Sequence, residues 1–177
     1  MISPALDLVS GTGSIENSDR AKVLIIGVGN LLMGDEGVGI HILRALENDL
    51  HVPGVQLLDG GTGGINLLES IARAPVVIMI DATRDGQPAG TINLVRPACV
   101  ANIPVGLSAH DFGLRDLFAA AALLGEFPEI HLFTISVETI NPMCLELSDP
   151  VSAAIPEVVR SAHALAHRLV AESRAEG

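Results

Sequence analysis

From Lys22 onward, the chain alternates between short apolar runs and segments whose apolar residues recur every three or four positions. Short apolar runs are typical of buried strands, and the three-to-four spacing is typical of helices with one buried face. Strands are predicted over residues 23–28, 55–58, 76–80, 91–95 and 130–137. Helices are predicted over residues 36–50 and 65–71, from 108 onward, and over 155–169. This order predicts an α/β fold, a three-layer αβα sandwich around a twisted, mostly parallel five-stranded sheet.

The fourth strand is the exception to the parallel order. Residues 85–90 are dense in turn formers, and no helix fits between the third and fourth strands. A parallel return needs a crossover of a dozen or more residues, so we expect the fourth strand to be antiparallel to the third. In the closing helix, we expect Pro156 near the first turn, where its missing N–H costs little.

Residues 1–20 show no clear periodicity and are predicted to be a loose N-terminal extension, with residues 21–177 forming a single α/β domain. The extension lacks the sustained apolar stretch of a secretory signal, and no apolar run approaches the length of a membrane span. The two cysteines make no disulfide framework. We therefore expect a cytoplasmic protein that does not enter a membrane.

Acidic residues outnumber basic ones by 21 to 10, which gives a formal net charge of −11. A field of this sign repels phosphate backbones and anionic lipid surfaces. The composition therefore predicts no nucleic-acid partner and no membrane surface as partner.

Polar and glycine-rich segments follow the first three predicted strands, over residues 27–39, over 59–64 and at Asp81. In open α/β sheets, ligands bind outside the carboxyl ends of the strands, where the winding direction reverses. If the strand order begins 2-1-3, the turns after strands one and three face each other. Glu36 would then lie near Asp81.

Glu36, Asp81 and His110 form a plausible ligand set for a divalent transition metal, with open positions for water or substrate. Residues 97–107 are long enough to bring His110 back across the sheet, and a helix N-terminus would keep its imidazole neutral. Each residue also has a purely structural interpretation. Glu36 could complement a helix dipole, Asp81 could cap a turn, and His110 could simply start a helix.

Other chemistries fit the sequence less well. The segment that starts at Gly27 has Leu32 where a dinucleotide fingerprint requires its third glycine, although Asp59 stands where a ribose partner would be expected. His163 and His167 have metal-ligand spacing but lack the glutamate of a zinc-protease helix. A nucleotide-binding or regulatory α/β domain without hydrolytic activity stays open as the alternative function.

Four segments, in order, resemble the motifs of the hydrogenase maturation endopeptidases. They are Gly27–Gly39, Asp59–Gly64, Ile80–Ala82 and Ser108–Leu114, within a match from about Lys22 to Leu169. The resemblance implies an endopeptidase that removes the C-terminal extension of the large-subunit precursor of a nickel–iron hydrogenase. Residues 21–177 would then be its peptidase domain.

The same resemblance implies the site residues. Glu36, Asp81 and His110 would be both metal-binding and catalytic, and the second motif, with Asp59, Gly60, Gly61 and Thr62, would contact the substrate. Nickel would be presented by the precursor rather than tightly held by this chain, and no organic cofactor is expected. The partner would be the hydrogenase large-subunit precursor, met by a monomer of this protein.

Overall fold

The computed structural model describes residues 21–102, 114–123 and 128–175. The strands are β1 (Val23–Val28), β2 (Val55–Gly61), β3 (Val76–Thr83), β4 (Ile92–Val95) and β5 (Glu129–Ser136). The helices are α1 (Val38–Asp49), α2 (Leu68–Arg73), α3 (Leu114–Leu123) and α4 (Asp149–Ala175). Short 3₁₀ turns cover Gly34–Gly37, Gly64–Leu67 and Val100–Asn102. The predicted extension over residues 1–20 lies outside the described residues.

The strands form one five-stranded sheet in the order β2-β1-β3-β5-β4. All neighbouring pairs are parallel except β4 and β5, so the predicted mixed, mostly parallel α/β sheet is confirmed. β4 runs antiparallel, as predicted, but its partner is β5 rather than β3. β5 occupies the position beside β3 because both strands are buried along almost their whole length.

Alternate residues of the central strands enter two apolar cores, one on each face of the sheet. On one face, residues such as Ile25 and Ile78 pack against α1 and α4. On the other face, residues such as Ile26 and Met79 pack against α2 and α3. Burial of each such side chain stabilises the fold by about 1.5–3 kcal/mol, and the two cores together produce the three layers.

Two element boundaries differ from the sequence prediction in ways that matter for the site. The first helix begins at Val38 rather than 36, because a separate 3₁₀ turn carries Asp35 and Glu36. The closing helix begins at Asp149, so the prediction that Pro156 lies near its first turn is wrong. Pro156 lies in the helix interior, on its exposed side, where it removes one backbone hydrogen bond.

Among the described residues, no helix is both long and apolar enough to cross a membrane. The predicted helix start at 108–111 lies outside the described residues, and the described part of that helix is α3.

Candidate active site

Glycines place the backbone of Glu36 directly against the end of β1. Gly29 has φ +143°, and a Cβ on it would lie 2.0 Å from the Glu36 carbonyl oxygen. A Cβ on Gly37 would lie 3.1 Å from the Cα of Leu31. Since real Cβ atoms do not approach other atoms as closely as 2.0 Å, only glycine at position 29 allows the 3₁₀ turn to sit where it does.

The first turn of α1 packs equally tightly on two strands. A Cβ on Gly39 would lie 2.2 Å from the Val28 carbonyl oxygen on β1 and 2.4 Å from the Ile80 carbonyl oxygen on β3. The first turn of α1 thus lies against β3 one residue before Asp81, and the turn that carries Glu36 also contacts β3. Strand order 2-1-3 was the condition for this arrangement, and it is the order observed.

Glu36 and Asp81 are both carboxylates removed from solvent, with exposed fractions of 1% and 0%. Asp81 Oδ1 accepts a hydrogen bond from the Ala82 N–H at 2.9 Å, which fixes the carboxyl group beside its own backbone. Asp35, on the same turn as Glu36, is a third buried carboxylate at this edge. Buried carboxylates need hydrogen bonds, cations or metal ions to compensate their lost hydration. Carboxylate oxygens are also suitable ligands for a divalent metal ion.

Asp35, which is not one of the predicted ligands, ties the Glu36 turn to α4. Its Oδ1 accepts the Ser148 N–H at 2.6 Å, and its Oδ2 accepts the Ser148 hydroxyl at 2.8 Å. Ser148 in turn accepts the Ser152 N–H at the start of α4. No local pattern predicts this contact, because 113 residues separate the two partners.

The second motif lies at the same edge but on the other side of β1. Asp59 is paired in register with Gly27, and its Oδ1 accepts the Gly61 N–H at 2.9 Å. Asp59 and Thr62 are exposed, whereas Gly60 is buried against Ile26. Contact of this motif with a substrate stays a prediction.

His110, the third predicted ligand, lies outside the described residues. No group of three potential metal-ligating side chains occurs among the residues whose placement is described. The rings of His163 and His167 lie 4.7 Å apart on α4, and in the same part of the chain they have no third ligand. The joint site of Glu36, Asp81 and His110 therefore stays a prediction.

His131 lies at the opposite end of the sheet. It is buried on β5 in register with Ile78, and its Nε2 lies 2.9 Å from Glu129 Oε1. Burial lowers the pKa of His131, and the hydrogen bond with Glu129 opposes this effect only in part. The residue lies away from the carboxylate edge, and its lowered pKa predicts a contribution to the pH dependence of stability.

Comparisons with known proteins agree with the sequence motifs. A family model described as HycI, hydrogenase maturation protease, matches residues 40–165. The hydrogenase expression/formation protein HoxM of Azotobacter vinelandii is 35% identical over 161 residues, which is 88% of this chain and 78% of that protein. The hydrogenase 2 maturation protease of Escherichia coli (strain K12) is 37% identical over 128 residues, 68% of this chain and 76% of that protein.

The fold agrees as well. The structure of the hydrogenase maturating endopeptidase HybD from E. coli matches with a TM-score of 0.75 and 32% identity, over 83% of this chain and 93% of that one. This evidence favours a peptidase over the nucleotide-binding alternative. The chain belongs to the hydrogenase maturation protease family.

Proposed function

We propose that this protein is the endopeptidase that removes the C-terminal extension from a nickel–iron hydrogenase large-subunit precursor after nickel has been inserted. The observation that carries the proposal is the pair of buried carboxylates, Glu36 and Asp81, on adjoining elements at the carboxyl edge of the sheet. Membership in the hydrogenase maturation protease family supplies the reaction class.

Nickel enters as part of the substrate. Glu36, Asp81 and His110 engage the nickel that the precursor carries, and the precursor's own ligands complete its coordination. Two carboxylates and one imidazole alone bind Ni²⁺ only modestly, since softer or more numerous ligands are needed for tight binding. The site therefore distinguishes a loaded precursor from an empty one.

The reaction is hydrolysis of one peptide bond. A water oxygen adds to the scissile carbonyl carbon, the C–N bond breaks, and the leaving amine takes a proton. A carboxylate held within reach of the attacking water is suited to accept its proton as a general base. The rigid glycine-packed turn holds Glu36 in place during this transfer.

The remaining parts of the proposal concern how the precursor is held. Asp59, Gly60, Gly61 and Thr62 contact its C-terminal tail at the same edge. The net charge of −11 favours a precursor surface rich in lysine and arginine. The protein acts as a monomer in the cytoplasm, with residues 21–177 as its single peptidase domain.

The test compares nickel-loaded and nickel-free precursor, each incubated with the purified protein and followed by mass spectrometry of the large subunit. We expect loss of the C-terminal extension from the loaded form only. Cleavage of both forms would refute recognition through nickel, and cleavage of neither would refute the proposed activity.

Variants test the site itself. Glu36→Gln, Asp81→Asn and His110→Asn should each lower kcat/KM for the loaded precursor by about 10²-fold or more, the usual effect of losing an acid–base or ligand group. Glu157→Gln and His51→Asn, at exposed positions on α4 and before β2, are matched controls with unchanged kinetics. Unchanged processing by Glu36→Gln would remove that residue from the mechanism.

A further inference from the structure

Two loops meet beside the Glu36 turn and expose apolar side chains there. The Gly34 N–H donates to the Cys144 carbonyl at 2.8 Å, and the Cys144 N–H donates to the Leu32 carbonyl at 3.2 Å. This bridge joins the segment after β1 to the segment after β5. The exposed side chains on either side of it, here called the apolar platform, are Leu32, Met143 and Leu145, with exposed fractions of 52%, 85% and 62%.

Met143 is held in a conformation that stability alone does not favour. Its φ of +61° is the only positive φ of a non-glycine residue among the described residues. Glycine would adopt this left-handed conformation without a Cβ penalty. The backbone after Pro142 thus presents a methionine to solvent at a position better suited to glycine, which points to a role for the side chain.

The surroundings of the platform carry one sign of charge. Residues 137–149 contain three exposed carboxylates, Glu138, Glu146 and Asp149, and neither this segment nor residues 29–43 contain a lysine or arginine. A partner that covers the platform must bury apolar side chains and place cations against this rim. A second copy of this chain, with its own net charge of −11, is a poor match.

We propose that the apolar platform binds an extended segment of the precursor in which apolar side chains are flanked by lysine or arginine. This inference rests on the proposed function, because it takes the precursor as the substrate. Leu32 precedes Glu36 by four residues, and the bridge between Met33 and Cys144 lies directly before the turn that carries Glu36. A precursor segment bound on the platform would therefore continue towards the buried carboxylates. The platform would contribute affinity for the precursor rather than chemistry.

Met143→Gly separates the platform from the fold, because it removes the side chain and relieves the backbone. We expect an unfolding midpoint equal to or above that of the wild type. We also expect KM for the precursor to rise about fivefold to tenfold with kcat within about twofold, the loss anticipated from one apolar contact. Leu145→Ser should act in the same direction. Leu94→Ser, at a 48% exposed leucine on β4, is the matched control and should leave KM unchanged.

The probe is nickel-loaded precursor purified from cells that lack the gene for this protein. Its binding to immobilised wild type and variants is measured by biolayer interferometry, and its cleavage is measured separately. Weaker binding by Met143→Gly but not by Leu94→Ser, together with weaker wild-type binding at high salt, supports the proposal. Equal binding by all variants, or no wild-type binding, overturns it.

The two readouts separate this inference from the proposed function. Precursor that binds through the platform but is never cleaved would refute the proposed function and leave the docking surface in place. Normal binding and cleavage by Met143→Gly would refute the docking surface and leave the proposed function in place.

Discussion

Gly39→Ala tests whether close packing of α1 on the strand ends positions the Glu36 turn. A Cβ at this position would lie 2.2 Å from the Val28 carbonyl oxygen and 2.4 Å from the Ile80 carbonyl oxygen. Carbon–oxygen contacts normally begin near 3.3 Å, so the helix would have to retreat by about 1 Å. Both obstacles are backbone atoms of central strands, and neither can rotate away.

The expected size follows from two opposing effects. Alanine in a helix is about 1 kcal/mol more favourable than glycine, which by itself would stabilise the variant. Overpacking against a rigid core costs about 3 kcal/mol at the upper end of its usual range. We therefore expect the free energy of unfolding to fall by about 2 kcal/mol. Since a misplacement of about 1 Å costs about 10²-fold in rate, kcat/KM should fall by that factor.

The assay is equilibrium urea unfolding followed by far-ultraviolet circular dichroism, since the chain has no tryptophan or tyrosine for fluorescence. Gly54→Ala is the control for backbone conformation. Its φ is +94°, the nearest obstacle to a Cβ is the flexible Lys22 side chain at 3.6 Å, and it precedes β2 at the far end of the sheet. This control should lose about 1–2 kcal/mol and keep full activity. Wild-type stability and activity in Gly39→Ala would refute the packing argument.

Burial lowers the pKa of His131, so the folded state binds a proton less readily than the unfolded state. The free energy of unfolding should therefore decrease as pH falls from 6.5 towards the lowered pKa. Urea unfolding at a series of pH values should show a flatter pH dependence for His131→Gln than for the wild type, and equal slopes would contradict the assignment. Ser148→Ala removes the hydroxyl that donates to Asp35 at 2.8 Å and should cost about 1–2 kcal/mol in thermal unfolding, with lower kcat/KM for the precursor. An unchanged melting temperature would show that this hydrogen bond does not hold the turn.

The sheet could be predicted because its signals are local. Apolar runs marked β1, β2, β3 and β5, and alternation of apolar and polar residues marked β4. The absence of room for a crossover after β3 gave the direction of β4. The placement of Glu36 and Asp81 at the carboxyl edge of the sheet followed from a general rule about parallel sheets. Their joint site with His110 stays a prediction. The partner of β4 could not be found in this way, because the insertion of β5 depends on which strands are most deeply buried.

Contacts between loops that are far apart along the chain could not be predicted from the sequence. The hydrogen bonds between Asp35 and Ser148, and the bridge between Met33 and Cys144, join irregular segments that have no periodicity to indicate their partners. The interior position of Pro156 was also missed, since Asp149 and Pro150 provide an earlier helix start that outweighs one lost hydrogen bond. Such features arise from tertiary packing, which can override local preference.

The segment between Gly29 and Gly39 makes very close approaches to main-chain atoms at its glycines, which has a consequence for adaptation. Contacts between glycines and main-chain atoms cannot be adjusted gradually by exchanging side chains. A substitution at these glycines therefore either preserves the position of the Glu36 carboxylate or displaces it by a large step. The segments 59–64 and 137–149, by contrast, present side chains to solvent at the same rim. Retargeting such an enzyme to a different precursor is therefore best attempted by exchanging segments 59–64 and 137–149 while the glycine-rich segment between Gly29 and Gly39 is left unchanged.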